Sequence, residues 1–184
     1  MAKTESSMLA LGTPAPDFQL TDVTSGAAIS LATFQQKKAL LVMFICRHCP
    51  YVKHVQTELA RIGLDYADKS VGIVAISSND AASYPDDSPD GLRQQAREMG
   101  FNFAYCHDET QDVARAFNAV CTPEFYVFNA QRELVYRGQL DDSRRHTAIP
   151  LTGVYVRAAL DAVLTGGAVD PDQRPSIGCS IKWK

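Results

Sequence analysis

Cys46 and Cys49 stand two residues apart in the run Cys46-Arg47-His48-Cys49-Pro50. Thiols at this spacing can close into a disulfide or open into a dithiol with little movement of the surrounding chain. The reactive form is the thiolate, and a free cysteine with a pKa of about 8.5 is mostly protonated at neutral pH, so the site must lower it. Three local features can do so: a helix N-terminus following the pair, the cation Arg47, and His48. Cys46, nearer the end of the preceding strand, is expected to attack, with Cys49 resolving the mixed disulfide. The same sulfurs with His48 and His54 are soft ligands suited to copper or zinc, so a metal carrier is an alternative. No second spaced ligand pair follows downstream, and we expect neither a metal nor a cofactor.

Three more cysteines complete the set of five. Cys121 lies two residues before Pro123; it is a candidate third redox thiol or, equally, a small core side chain. Cys106 reads as structural. Cys179, in the terminal segment, could fold back as a resolving thiol, although packing is the plainer role. The charged loop Asp141-Asp142 with Arg144-Arg145-His146 reads as solvated surface, and Trp183 as a ring docked on the domain.

The elements that must position the pair can be read from periodicity. The apolar run 39–45 is short and continuous, which suits a central strand covered on both faces and ending at Cys46. Val55, Leu59, Ile62 and Tyr66 recur at helical steps and predict an amphipathic helix over 54–66. A second buried strand follows at 71–77. Ser88-Pro89-Asp90 opens another helix that Gly100 closes. A strand at 101–105, a helix at 110–117, strands at 125–128 and 134–136, and a final helix at 154–164 stopped by Gly166-Gly167 complete the order. Residues 18–20 and 29–31 flank the turn Thr24-Ser25-Gly26 and predict an N-terminal β-hairpin. Such alternation implies an α/β domain with a central mixed sheet flanked by helices, whose ligand sites gather at the carboxyl ends of strands.

At 184 residues the chain suits a single domain over 1–184, with 1–10 expected to be disordered. A net charge of −3 offers no basic surface for a phosphate backbone or an anionic bilayer, so we expect no nucleic-acid and no membrane partner. An odd cysteine count in a chain of this size fits a reducing compartment better than a disulfide framework. Without an apolar leader or a run of the roughly 18–20 residues that span a bilayer, a soluble, cytoplasmic protein is expected.

Several segments, taken in order, carry a family resemblance: Gly12-Thr13-Pro14-Ala15-Pro16-Asp17-Phe18, the strand entering Cys46-Arg47-His48-Cys49, Thr122-Pro123, Tyr136-Arg137-Gly138-Gln139-Leu140-Asp141-Asp142, and Ile177-Gly178-Cys179-Ser180-Ile181-Lys182-Trp183. Together they resemble the redoxin branch of the thioredoxin superfamily. More narrowly they are similar to the peroxiredoxin-like group of the alkyl hydroperoxide reductase and thiol-specific antioxidant family. The resemblance implies a thioredoxin-like fold with a redoxin-type insertion and a cis-proline at Pro123 facing the cysteine pair. It also implies that the backbone of Thr122 pairs with an extended substrate. Peroxide-reducing relatives carry a threonine three residues before the reactive cysteine. Met43 stands three before Cys46, which turns the expectation toward thiol-disulfide exchange on a disulfide-containing protein or small thiol, with an external thiol reductant and with peroxide reduction as the alternative. The strand also lacks the buried aspartate that moves protons in thioredoxin, leaving the proton acceptor unassigned.

Overall fold

The computed structural model describes residues 3–184. In chain order its strands are β1 Lys3–Glu5, β2 Gln19–Thr21, β3 Ala28–Ser30, β4 Ala39–Phe44, β5 Val71–Ser77, β6 Ala104–His107, β7 Cys121–Thr122, β8 Glu124–Phe128, β9 Leu134–Gly138 and β10 Ile177–Ser180. The helices are α1 Pro50–Asp65, α2 Pro89–Met99, α3 Asp112–Ala116 and α4 Val154–Thr165.

The central sheet has the order β6-β5-β4-β8-β9. β4 runs parallel to β5 and antiparallel to β8, so the sheet is mixed. Every residue of β4 is buried, because successive side chains serve opposite faces. Leu41 and Met43 join α1 and α4 residues such as Leu59, Ile62, Val156 and Leu160 on one face. Leu40, Val42 and Phe44 meet Phe18, Phe34, Phe117 and Tyr126 on the other. This is the thioredoxin-like α/β fold, with β2 and β3 forming the expected N-terminal hairpin and added segments around the core.

Local signals set most boundaries. Ser88 caps α2 by accepting from the Gly91 amide at 3.3 Å, and Gly100 ends it with φ 69°, a conformation glycine adopts without cost. α1 begins at Pro50, four residues before its apolar periodicity starts, because proline's fixed φ suits a first helical position. β6 begins at Ala104 rather than at 101; Phe101 and Phe103 instead stack on each other at 4.8 Å.

A second sheet of three short strands, order β1-β10-β7, was not legible in periodicity. Lys3–Glu5, expected to be disordered, pair antiparallel with β10, which offers them an open edge; Met1 and Ala2 lie outside the described residues. Trp183 remains 41% exposed, with the Arg115 guanidinium 4.7 Å over its ring. Among the described residues no helix is long and apolar enough to cross a membrane.

Candidate active site

The last turn of chain from β4 into α1 carries the pair. Cys46 follows the strand by two residues, and Cys49 is the N-cap of α1 with extended backbone, φ −66° and ψ 124°. Both sulfurs are buried. Facing them is the Thr122-Pro123 segment, whose peptide bond is cis. Thr122 meets both cysteines: its Oγ1 lies 3.3 Å from Cys46 Sγ, and its carbonyl oxygen 3.3 Å from Cys49 Sγ, which donates to it when protonated. On its far side Cys49 Sγ is 2.9 Å from the sulfur of Cys179. Three thiols, all in the reduced state, thus meet around one threonine.

The contacts treat the two sulfurs differently. Cys49 is lowered to about 5: the hydrogen bond from Cys46 is the largest influence, burial opposes it, and a bond from Cys179 and the first-turn amide of Val52, short of capping geometry, add to the lowering. Cys46 is pushed well above its ordinary value, first by burial, then by Cys49 and the charge of Asp87, with only Thr122 opposing. These contacts favour charge on Cys49, seated at the positive end of α1, over Cys46.

Arg47 has partners away from the pair. Its guanidinium is engaged on α2, donating to Gln94 at 2.9 Å and lying 3.7 Å from Glu98. His48 does face the site: Nδ1 is 3.9 Å from Cys46 Sγ and 2.5 Å from the carboxylate of Asp87, while the ring stacks on Tyr84 at 4.9 Å. Cys121 is buried in β7 with its thiol raised, chiefly by burial and then by Glu124, and it forms no hydrogen bond to the pair. The third thiol at the site is Cys179, placed there by β10.

Two buried acids went unseen in the sequence because nothing local marks them. Asp87, in the 3-10 turn Pro85–Asp87, accepts from the amides of Arg47 (2.8 Å) and His48 (3.0 Å) and from Asn79 Nδ2 (2.7 Å), besides His48 Nδ1. It thereby fixes the loop between the two cysteines. Burial pushes its carboxyl up, but the hydrogen bonds from His48 and Asn79 outweigh that and hold it below the usual carboxylate range. Glu124 opens β8 directly after Pro123 and pairs with Arg137 at 2.6 Å, both side chains fully buried. Its other oxygen accepts from the amide of Val120 at 3.1 Å, so the ion pair anchors the loop carrying Thr122.

Asp87→Asn should cost about 1–3 kcal/mol, since an amide in that cradle must turn its NH₂ toward a donor. Urea unfolding at pH 7 measures this. With its folded pKa depressed, Asp87 contributes stability fully above its unfolded value of about 3.9 and loses it as pH falls through the folded value. The gap between wild type and the asparagine variant should therefore narrow in acid.

Among the described residues, Cys46, His48 and Asp87 offer sulfur, nitrogen and oxygen atoms within 4.8 Å of one another, a set able to hold an ion. Ligation through His48 Nδ1 would give up its bond to Asp87. His54, grouped with the pair as a possible ligand, instead bonds Ser143 Oγ at 2.9 Å.

The AhpC/TSA family profile matches residues 11–137. A crystal structure described as an uncharacterized conserved protein from Geobacillus kaustophilus is 54% identical, covers 100% of this chain and 97% of its own, and superposes with a TM-score of 0.98. A hypothetical protein from Sinorhizobium meliloti 1021 is 43% identical over 98% of each chain, TM-score 0.96. The thioredoxin domain of a thiol-disulfide oxidoreductase from Bacteroides vulgatus, 21% identical over 71% of this chain and 89% of that one with TM-score 0.60, shares the fold. The search of curated proteins gave no significant match. The chain belongs to the AhpC/TSA family, an oxidoreductase with a reactive-cysteine site on the thioredoxin fold.

Proposed function

We propose that this chain reduces hydroperoxides through a two-cysteine cycle in which Cys49 attacks and Cys46 resolves. The observation that carries the reading is the position of Cys49: a buried N-cap sulfur, lowered to about 5, flanked by the hydrogen-bonding thiols of Cys46 and Cys179. The Cys49 thiolate attacks one peroxide oxygen, the O–O bond breaks, and the leaving oxygen takes up a proton, giving Cys49 sulfenic acid. The Cys46 thiol then condenses with it, releasing water and closing the Cys46–Cys49 disulfide, which an external thiol reduces. With Cys49 as the attacking sulfur, the residue three positions before it is Cys46, so a thiol stands where peroxide-reducing relatives place a threonine. The Thr122 hydroxyl beside Cys46 is a further donor in the same pocket.

A small oxidant also suits the burial of both sulfurs better than a protein disulfide does. The backbone of Thr122, expected to pair with an extended substrate, is already paired with Cys179 of β10. Family membership supports the same reading, the AhpC/TSA name being that of alkyl hydroperoxide reductases.

Thiol-disulfide exchange is the second reading, favoured by the Cys-x-x-Cys spacing at a strand-to-helix junction beside Thr122-Pro123. In that case an external disulfide takes the place of peroxide at the same sulfur. Peroxide consumption and insulin reduction, measured on the same metal-free protein with dithiothreitol as donor, separate the two. Peroxide turnover without comparable insulin reduction supports the proposal, and the reverse assigns disulfide exchange. With Cys46→Ser and Cys179→Ser combined, the sulfenic acid has neither neighbouring thiol left, and a dimedone adduct on Cys49 should rise several-fold over wild type in mass spectra. An adduct on Cys46 in a Cys49→Ser/Cys179→Ser protein, with none on Cys49 in the Cys46→Ser/Cys179→Ser protein, would reverse the two roles.

A further inference from the structure

We propose that Cys179 is a third redox thiol that takes over Cys49 from Cys46 by exchange, leaving a Cys49–Cys179 disulfide between α1 and the C-terminal strand. This rests on the two-cysteine reading above, in which the Cys46–Cys49 disulfide forms first.

The placement of Cys179 is built by the fold. β10 lies between β1 and β7, and its register sets Cys179 opposite Thr122, the residue that touches both sulfurs of the pair. The strand can come this close because its neighbour is Gly178: a Cβ there would stand 2.0 Å from the Thr122 carbonyl oxygen. The result is a buried Sγ–Sγ separation of 2.9 Å to Cys49. Cys121, on the strand paired with β10, makes no such approach.

Oxidation of Cys49 makes it easier for Cys179 to give up its proton. In the reduced protein Cys179 is pushed up to about 12, by burial first and then by its hydrogen bond to Cys49 and the charge on that sulfur, with Lys182 opposing. Once Cys49 is in a disulfide it carries no charge, and its contributions to holding the proton on Cys179 fall away, leaving burial opposed by Lys182. The Cys179 thiolate then attacks Cys49 Sγ, the Cys46–Cys49 bond breaks, and Cys46 leaves as a thiolate that takes up the proton Cys179 has lost. Cys179 is oxidised from thiolate to disulfide sulfur as Cys46 is reduced from disulfide sulfur to thiolate, and no other oxidant or reductant is consumed.

The test uses the full chain treated with one equivalent of hydrogen peroxide, quenched in acid at intervals, alkylated, and mapped by peptide mass spectrometry. In wild type, Cys46–Cys49 should appear first and Cys49–Cys179 should grow at its expense. Cys46→Ser, in which Cys179 can only condense directly with the Cys49 sulfenic acid and release water, should give Cys49–Cys179 alone, and Cys179→Ser should stop at Cys46–Cys49, with circular dichroism confirming that each variant is folded. Cys46–Cys49 forming in wild type with no Cys49–Cys179 at any time overturns the proposal and leaves the two-cysteine cycle standing. If neither bond forms, the two-cysteine cycle itself is wrong and the proposal falls with it. The wild-type arm does not depend on any variant folding.

Discussion

Replacing Cys49 with serine is expected to lower peroxide turnover by roughly 10³-fold or more, since removal of a covalent nucleophile leaves only what binding and orientation supply. The pH dependence of the wild type carries the finer part of the result. The thiolate is the reactive species, and Cys49 is lowered to about 5, so its alkylation by iodoacetamide should be nearly flat from pH 6 to 8 and fall as pH drops through about 5. If Cys46 were the ionised thiol, the rate would still be climbing above pH 8, because burial and the neighbouring charges of Cys49 and Asp87 raise it. Stopped-flow alkylation of wild type and of Cys49→Ser, with the labelled peptide identified in each, distinguishes these profiles. A plateau that survives loss of Cys49 would reject Cys49 as the acidic thiol.

Arg137→Met should destabilise the fold by about 3–5 kcal/mol, because it leaves the Glu124 carboxylate buried without its cation. For a chain of this size that corresponds to a melting point lower by on the order of 10 °C, read by differential scanning calorimetry. Glu124 is already raised by burial, with Arg137 the main opposing influence, so the orphaned group is expected to become protonated. The double variant Glu124→Leu/Arg137→Met should recover part of the loss, and only part, because the Val120 amide still lacks its acceptor. A single variant as stable as wild type would mean that the pair does not anchor the loop. The effect reaches the site through sequence adjacency, since Glu124 follows Pro123 directly and sets where Thr122 meets the sulfurs.

Much of this architecture is legible from local pattern. The run 39–45 is apolar because β4 is covered on both faces, and the periodicity of Val55, Leu59 and Ile62 marks the face of α1 that meets the sheet. Cys46, Cys49, Thr122 and Pro123 fall together as the motifs imply. What escaped the sequence depends on contacts between distant segments. Arg47 is adjacent to Cys46 in the chain, yet its guanidinium goes to Gln94 and Glu98 on α2, so proximity in sequence misjudged its field. Asp87 reaches the loop from a turn 39 positions beyond His48, and Cys179 reaches Cys49 from 130 positions away. β1, β7 and β10 are too short to leave a period, and pairing with each other is what defines them. The preference for charge on Cys49 depends on which sulfur receives hydrogen bonds, and residue type alone does not carry that information.

The narrow gap at Gly178 bears on how damage to this protein would be interpreted. The residue has no side chain, no charge and no redox chemistry, and it lies far along the chain from the Cys-x-x-Cys motif. Yet any larger residue there collides with the Thr122 carbonyl and must lift β10, carrying Cys179 with it. A geneticist meeting such a change would file it under structure, while on the proposal above its first biochemical symptom is an altered pattern of thiol oxidation. For this chain, then, the border between scaffold and chemistry runs through a single hydrogen atom.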